Sequence, residues 1–279
     1  MVRTVDPITE CQYTDGAQHV FGAPESTPAL SVPADLVTNY RGLNKFGRTT
    51  DADSGTLTDV WDGANSTTSQ PIWLAPTAAR IHAVASTNAA DAGPSGNGAH
   101  NVQVYGLKTW SSAETSESVT LDGDTPVNTA NSYVIIYRVK VTSFGSSGPN
   151  VGTISITAAT DSTLTAQINP AEGQTQMAVY GIPLGQSLFM TQYYGSINKA
   201  VKTAGADFKL VLNPIPDEQP VGFLIKHTIG AVSEGSGSIG HRFDPYFRVD
   251  GPAIIKLQVT TDTANSAADG GFDGYIKES

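Results

Sequence analysis

From about Thr56 to the C-terminus, the chain alternates apolar and polar residues in short runs, broken by Gly, Asn, Asp, Pro and Ser. A period of two places one face of a strand in a core and the other in water, so repeated runs predict antiparallel strands rather than helices. The clearest run covers 133–141, where Tyr133, Ile135, Tyr137, Val139 and Val141 share one face, with Arg138, Lys140 and Thr142 opposite. A slip of one residue would bury those charges, which specifies the register. Further strands are expected at 57–61, 80–86, 100–110, 151–157, 176–182, 188–194, 208–212, 221–227, 243–249, 254–260 and 272–277. Phe208, Leu210 and Leu212 oppose Lys209, and Ile255, Leu257 and Val259 oppose Lys256 and Gln258, as a half-solvated antiparallel sheet requires. Turn chemistry fills the breaks: a Gly/Pro/Asn loop at 91–98, Asp122-Gly123, Gly148-Pro149-Asn150, and a Gly/Ser loop at 233–240. Strands so spaced, with no helical pattern between them, predict an all-β protein built as an antiparallel β-sandwich or jelly roll.

The first fifty residues read differently. Pro7, Pro24, Pro28 and Pro33 each remove a backbone donor, and Tyr13, Phe21, Tyr40 and Phe46 occur singly without period. The expected organisation is an extended N-terminal arm, 1–50, followed by a β-sandwich domain, 51–279, undivided or in two sub-domains. An arm with that many apolar anchors is expected to lie on a partner subunit or along its own β-domain. Tyr13, Phe21, Tyr40 and Phe46 are the expected partner-binding residues, because large side chains with few rotors bury area at low entropic cost.

Composition narrows the partners. Charged residues make up 15% of the chain, against roughly 25% in an average soluble domain. A surface poor in charge and rich in small polar groups suits packing against other proteins. The net charge of -10, from 16 Lys and Arg against 26 Asp and Glu, argues against nucleic acid and anionic membranes, which call for a basic stripe. The single cysteine, Cys11, has no internal disulfide partner. No apolar run is long enough to span a bilayer, and the first residues lack the apolar stretch of a secretory signal, so the chain is expected in the cytosol until assembled.

No candidate chemistry outweighs a structural role. Gly235-Ser236-Gly237-Ser238-Ile239-Gly240 matches a dinucleotide fingerprint, but Pro245 and the aromatic residues after it favour a strand where the site needs a helix. His19, His82, His100, His227 and His241 are scattered without metal-ligand spacing, and His82, opposite Ile81, Ala83 and Ala85, reads as a solvated surface histidine. Asp51, Asp53 and Asp59 have the flavour of a calcium loop but lack its terminal Glu, and read as a solvated linker. Glu114/Glu117 and Asp217/Glu218 lie in polar turns rather than in an aromatic sugar cleft, and Trp73, between Ile72 and Leu74, reads as a core anchor. The triplet Val104-Tyr105-Gly106 recurs as Val179-Tyr180-Gly181, an echo that a chain rich in these residues produces by chance. No catalytic residue, metal ligand or cofactor is expected, and the chain is not expected to be an enzyme.

Several blocks carry a resemblance. Gly96-Asn97-Gly98-Ala99-His100-Asn101-Val102-Gln103-Val104-Tyr105-Gly106-Leu107, Ser116-Glu117-Ser118-Val119-Thr120-Leu121-Asp122-Gly123 and Pro126-Val127-Asn128-Thr129 are similar to blocks in β-rich virion proteins of tailed bacteriophages, notably marine ones. So are Val151-Gly152-Thr153-Ile154, Tyr180-Gly181-Ile182-Pro183-Leu184-Gly185 and Gly271-Phe272-Asp273-Gly274-Tyr275. The resemblance implies a head-decoration (cement) or head-fibre role: a homo-oligomer, commonly a trimer, bound to the major capsid protein or another virion protein. The particle would be assembled in the host cytoplasm. The alternative it leaves is a tail component, such as a fibre, adaptor or receptor-binding module, in one version carbohydrate-binding.

Overall fold

A computed structural model describes residues 28–65, 70–198, 205–218, 222–232 and 238–278. After a four-residue helix, α1 (Pro28–Ser31), come β1 (Tyr40–Ala52), β2 (Thr58–Asp59), β3 (His82–Ser86), β4 (Ala99–Leu107), β5 (Thr115–Thr120), β6 (Val127–Asn128), β7 (Ile135–Phe144) and β8 (Ile154–Ala158). They are followed by β9 (Leu164–Ile168), β10 (Val179–Ile182), β11 (Ser187–Asn198), β12 (Gly205–Asn213), β13 (Leu224–Val232), β14 (Ser238–Asp250), β15 (Ala253–Thr261) and β16 (Ser266–Lys277). The chain is all-β, and every ladder between these strands is antiparallel.

The strands form two sandwiches. In the first, a sheet of order β1-β16-β11-β14 faces one of order β10-β15-β12-β13, with β2 also paired to β15. The second combines the sheets β6-β3-β8-β9 and β5-β4-β7, and its strands are contiguous in the chain, between β2 and β10. Small residues let the facing sheets of the first sandwich close up: Gly195 of β11 packs on the Phe208 ring of β12, and Gly270 of β16 on Leu257 of β15. Tyr193, Phe208, Leu210, Leu257 and Phe272 are fully buried between them.

The boundary expected at residue 50 falls inside β1. Residues 40–52 are a sheet strand paired along its length with β16, Tyr40 opposite Lys277 and Thr49 opposite Ala268, so they are not part of an extended arm. The alternation in β1 is clear in burial but hidden in residue type. Leu43, Lys45, Gly47 and Thr49 point inward, Asn44, Phe46 and Arg48 outward, and only one inward residue is a large apolar one. Gly47 is there for space: a Cβ would overlap the Val60 carbonyl and the Ala178 amide, where two other segments cross β1. The short or polar strands β5, β6 and β9 also lay outside the expected set.

Strand β15 corrects a second expectation. Lys256 and Gln258 do not face water; they are buried like Ile255 and Leu257 opposite them. The segment around β2 covers that face, and Asp59, not a solvated linker residue either, meets them there. Its Oδ2 accepts from Lys256 Nζ at 2.5 Å and from the Trp73 amide at 2.7 Å, and its Oδ1 accepts from Gln258 Nε2 at 2.8 Å. Asp59 therefore turns away from the loop that the calcium reading required. Trp73 is a core anchor, as expected, and its indole N–H donates to the Thr165 carbonyl at 2.8 Å.

His82 is not a solvated surface residue. It is fully buried in β3, a strand flanked on both sides by neighbours, with Nδ1 against the Arg80 carbonyl at 2.9 Å and its ring edge-on to Tyr133. Burial lowers its pKa to about 4. At one end of the second sandwich, buried Asp91 ties three loops together, accepting from Ser86 Oγ at 2.6 Å and from the amides of Ala99, Val151 and Gly152 at 2.8 Å each.

Candidate functional site

Two features outside the cores could act on something else. The first is the lateral side of the first sandwich, closed by β13 and β14, the edge strands of its two sheets. The edges are unlike. Strand β14 is blunted: its ladder to β11 slips between Met190 and Gln192, Pro245 lacks an amide hydrogen, and Arg242, Asp244, Arg248 and Asp250 are exposed along it. Strand β13 has one lysine, Lys226, and presents Leu224, Ile225 and Val232 to solvent, 53%, 60% and 58% exposed. An edge of nine residues with apolar side chains and little charge is a template for a further strand.

Between these strands lies an aromatic cluster. His227 of β13 stacks on His241 of β14 with ring centroids 4.1 Å apart, and Phe243 stands edge-on to His241 at 4.8 Å. The buried Tyr193 hydroxyl meets His227 Nδ1 at 2.6 Å. Burial, and then the neighbouring His241, lower the His227 pKa, so the His227 ring stays uncharged to a lower pH than a free imidazole would.

The second feature is a cleft of about 300 Å³ where β1 meets the inserted sandwich. β1 contributes Arg41 and Lys45, β7 Tyr137 and Arg138, β4 Tyr105 and β10 Tyr180, with Glu114 at the mouth. Arg41 is spoken for: its guanidinium reaches Tyr180 Oη at 2.5 Å, Glu114 at 3.3 Å and Glu278 at 3.1 Å. Lys45, only 8% exposed, donates to the Tyr137 carbonyl at 2.6 Å, and among the described residues no carboxylate pairs with it. Burial, and then Arg138, push its pKa down to about 7. The Tyr137 and Tyr180 rings pack 4.7 Å apart. Tyr137 Oη is buried without a hydrogen-bond partner among the described residues. Arg138 and Lys140 both lie over the Tyr105 ring, at 5.8 and 5.6 Å.

Of the four expected partner-binding residues, the structure describes two. Tyr13 and Phe21 lie outside the described residues. Tyr40 starts β1 and leans on Phe189, 6.5 Å between centroids, while Phe46 points outward from β1 and lines the junction cleft. Tyr105 and Tyr180, the tyrosines of the repeated Val-Tyr-Gly triplet, both line that cleft. Strand β13, an edge among the described residues, was legible in the sequence as a strand with few charges but not as an edge. Of the fingerprint-like 235–240 stretch, Ser238, Ile239 and Gly240 belong to β14, and the remainder lies outside the described residues. Among the described residues no three His, Cys, Asp or Glu side chains are placed to share a metal ion, and no helix is long and apolar enough to cross a membrane. No protein-family model and no curated protein matches the chain.

Proposed function

We propose that this chain is a non-enzymatic structural protein of the phage-virion kind, a capsid decoration (cement) or head-fibre protein whose copies form a trimer and bind the assembled capsid lattice. The observation that carries the reading is the unlike pair of edges, β13 without a further neighbouring strand among the described residues and β14 blunted. A head-to-tail contact joins two different surfaces and closes into a ring when the rotation allows. A chain with one edge built to accept a strand and its neighbour built to refuse one is suited to such a contact and protected against the wrong one. The strand orders β1-β16-β11-β14 and β10-β15-β12-β13 also support it: read as an eight-stranded jelly roll, the first sandwich carries the second as an insertion between its first and second strands. Jelly rolls recur in viral capsid and lectin domains, although a fold by itself assigns no function. A decoration protein works by mass action, since a ligand that binds only the assembled lattice stabilises that state. Major capsid protein or another virion protein is the partner, in a particle assembled in the host cytoplasm. A tail component is the second reading, and the junction cleft favours it.

Light scattering on the purified full-length chain tests the assembly. A trimer is expected, with the Ile225→Lys, Val232→Lys double variant monomeric and still folded by circular dichroism, because both side chains are exposed in the single chain. A wild-type monomer at high micromolar concentration would overturn it.

A further inference from the structure

We propose that the cleft between β1 and the inserted sandwich binds a uronate, a sugar ring bearing a carboxylate, with Lys45 and Arg138 holding the carboxylate and Tyr105 and Tyr137 flanking the ring. This holds whether or not the copies assemble, and its test is separate from that of the trimer.

Charge carries the first half of the argument. In a chain of net charge -10, this cleft is lined by Arg41, Lys45 and Arg138 against one acid, Glu114. Glu114 is already bridged to Arg41 at 3.3 Å, which among the described residues leaves the buried Lys45 and the exposed Arg138 with no carboxylate in an ion pair. A buried cation without a counter-ion is costly, and burial and Arg138 have pushed its pKa down to about 7. An incoming carboxylate supplies the missing charge, and a guanidinium fork matches a carboxylate's geometry.

The walls carry the second half. A bare inorganic anion would leave the three tyrosines and the orphaned Tyr137 hydroxyl unused. A pyranose presents C–H faces to aromatic rings and hydroxyls to polar groups such as Tyr137 Oη and Gln174. The volume, about 300 Å³, sits at the low end of small-molecule sites, roughly 300–1,000 Å³, which suits one or two rings and excludes a folded partner.

The probes are sodium D-galacturonate, D-galactose, inorganic phosphate and tri-galacturonate, each titrated calorimetrically into the full-length protein at pH 6.5. Galacturonate is expected to bind at least tenfold more tightly than galactose or phosphate. Arg138→Gln, at an exposed position, and Lys45→Met are each expected to weaken it at least tenfold, with folding checked by circular dichroism. Tri-galacturonate binding more tightly than the monomer would identify a polysaccharide as the source, and equal affinity a free sugar acid; both uphold the site. Phosphate as tight as galacturonate, no binding by wild type, or undiminished binding by a folded Arg138→Gln would each overturn it.

Discussion

Removing Lys256 should damage the fold more than any loss of surface charge. In Lys256→Met, Asp59 stays buried with only the Gln258 amide and the Trp73 N–H to stabilise it, at 2.8 and 2.7 Å. The pair is fully enclosed, 1% and 0% exposed at the side chains, so water cannot take the lysine's place. Stripping one partner from a buried ion pair costs about 3–5 kcal/mol, far above the ~0–1 kcal/mol of an exposed pair. At about 2–4 °C per kcal/mol for chains near this size, the melting temperature should fall by roughly 6–20 °C. Asp59→Asn, which leaves the ammonium unpaired, should cost a similar amount. The double variant should lose much less than the sum, because no isolated charge then remains and the Asn oxygen can still accept from Trp73. Urea unfolding of all four proteins closes the cycle, with an expected coupling of about 2 kcal/mol or more. Single variants costing under about 1 kcal/mol, or additivity within ~0.5 kcal/mol, would refute the claim that the pair stabilises by mutual neutralisation.

Acid should act through His82. Its folded pKa of about 4 lies below the ordinary 6.5, so between those values the unfolded chain holds the proton and the native one does not. Stability contributed by keeping the ring neutral is therefore complete above about pH 6.5 and falls as pH drops towards 4, by up to about 3 kcal/mol. The urea midpoint at pH 4.5 relative to pH 7 should fall less in His82→Gln than in wild type, and equal losses would exclude His82 as the cause. Asp91→Ala strips four donors of their shared acceptor at one end of the second sandwich. It should cost about 3 kcal/mol or more by calorimetry. A loss under about 1 kcal/mol would mean that water replaces the carboxylate.

What the sequence determined by itself is local: strand character, turn positions and the class of the fold. Alternation at 133–141 and at Phe208, Leu210 and Leu212 reported which side chains face a core, because a pleat places them there whatever lies beyond. The same rule failed at Lys256 and His82. It assumes that the second face of a strand meets water, and here a segment far away in the chain covers it: Asp59 lies 197 residues from Lys256. It failed at β1 for the converse reason, since the side chains turned inward there, Lys45, Gly47 and Thr49, are admitted by specific partners and by want of space rather than by hydrophobicity. The tertiary structure alone decided where the edges fall, because an edge is a missing neighbour and no strand encodes its own neighbours. It alone brought Arg41, Lys45, Tyr105, Tyr137 and Tyr180 to one cleft, from β1 and β10 on either side of the inserted sandwich and β4 and β7 within it. Residue type can announce that a lysine is present; only the packing of distant strands removes its water and withholds its counter-ion.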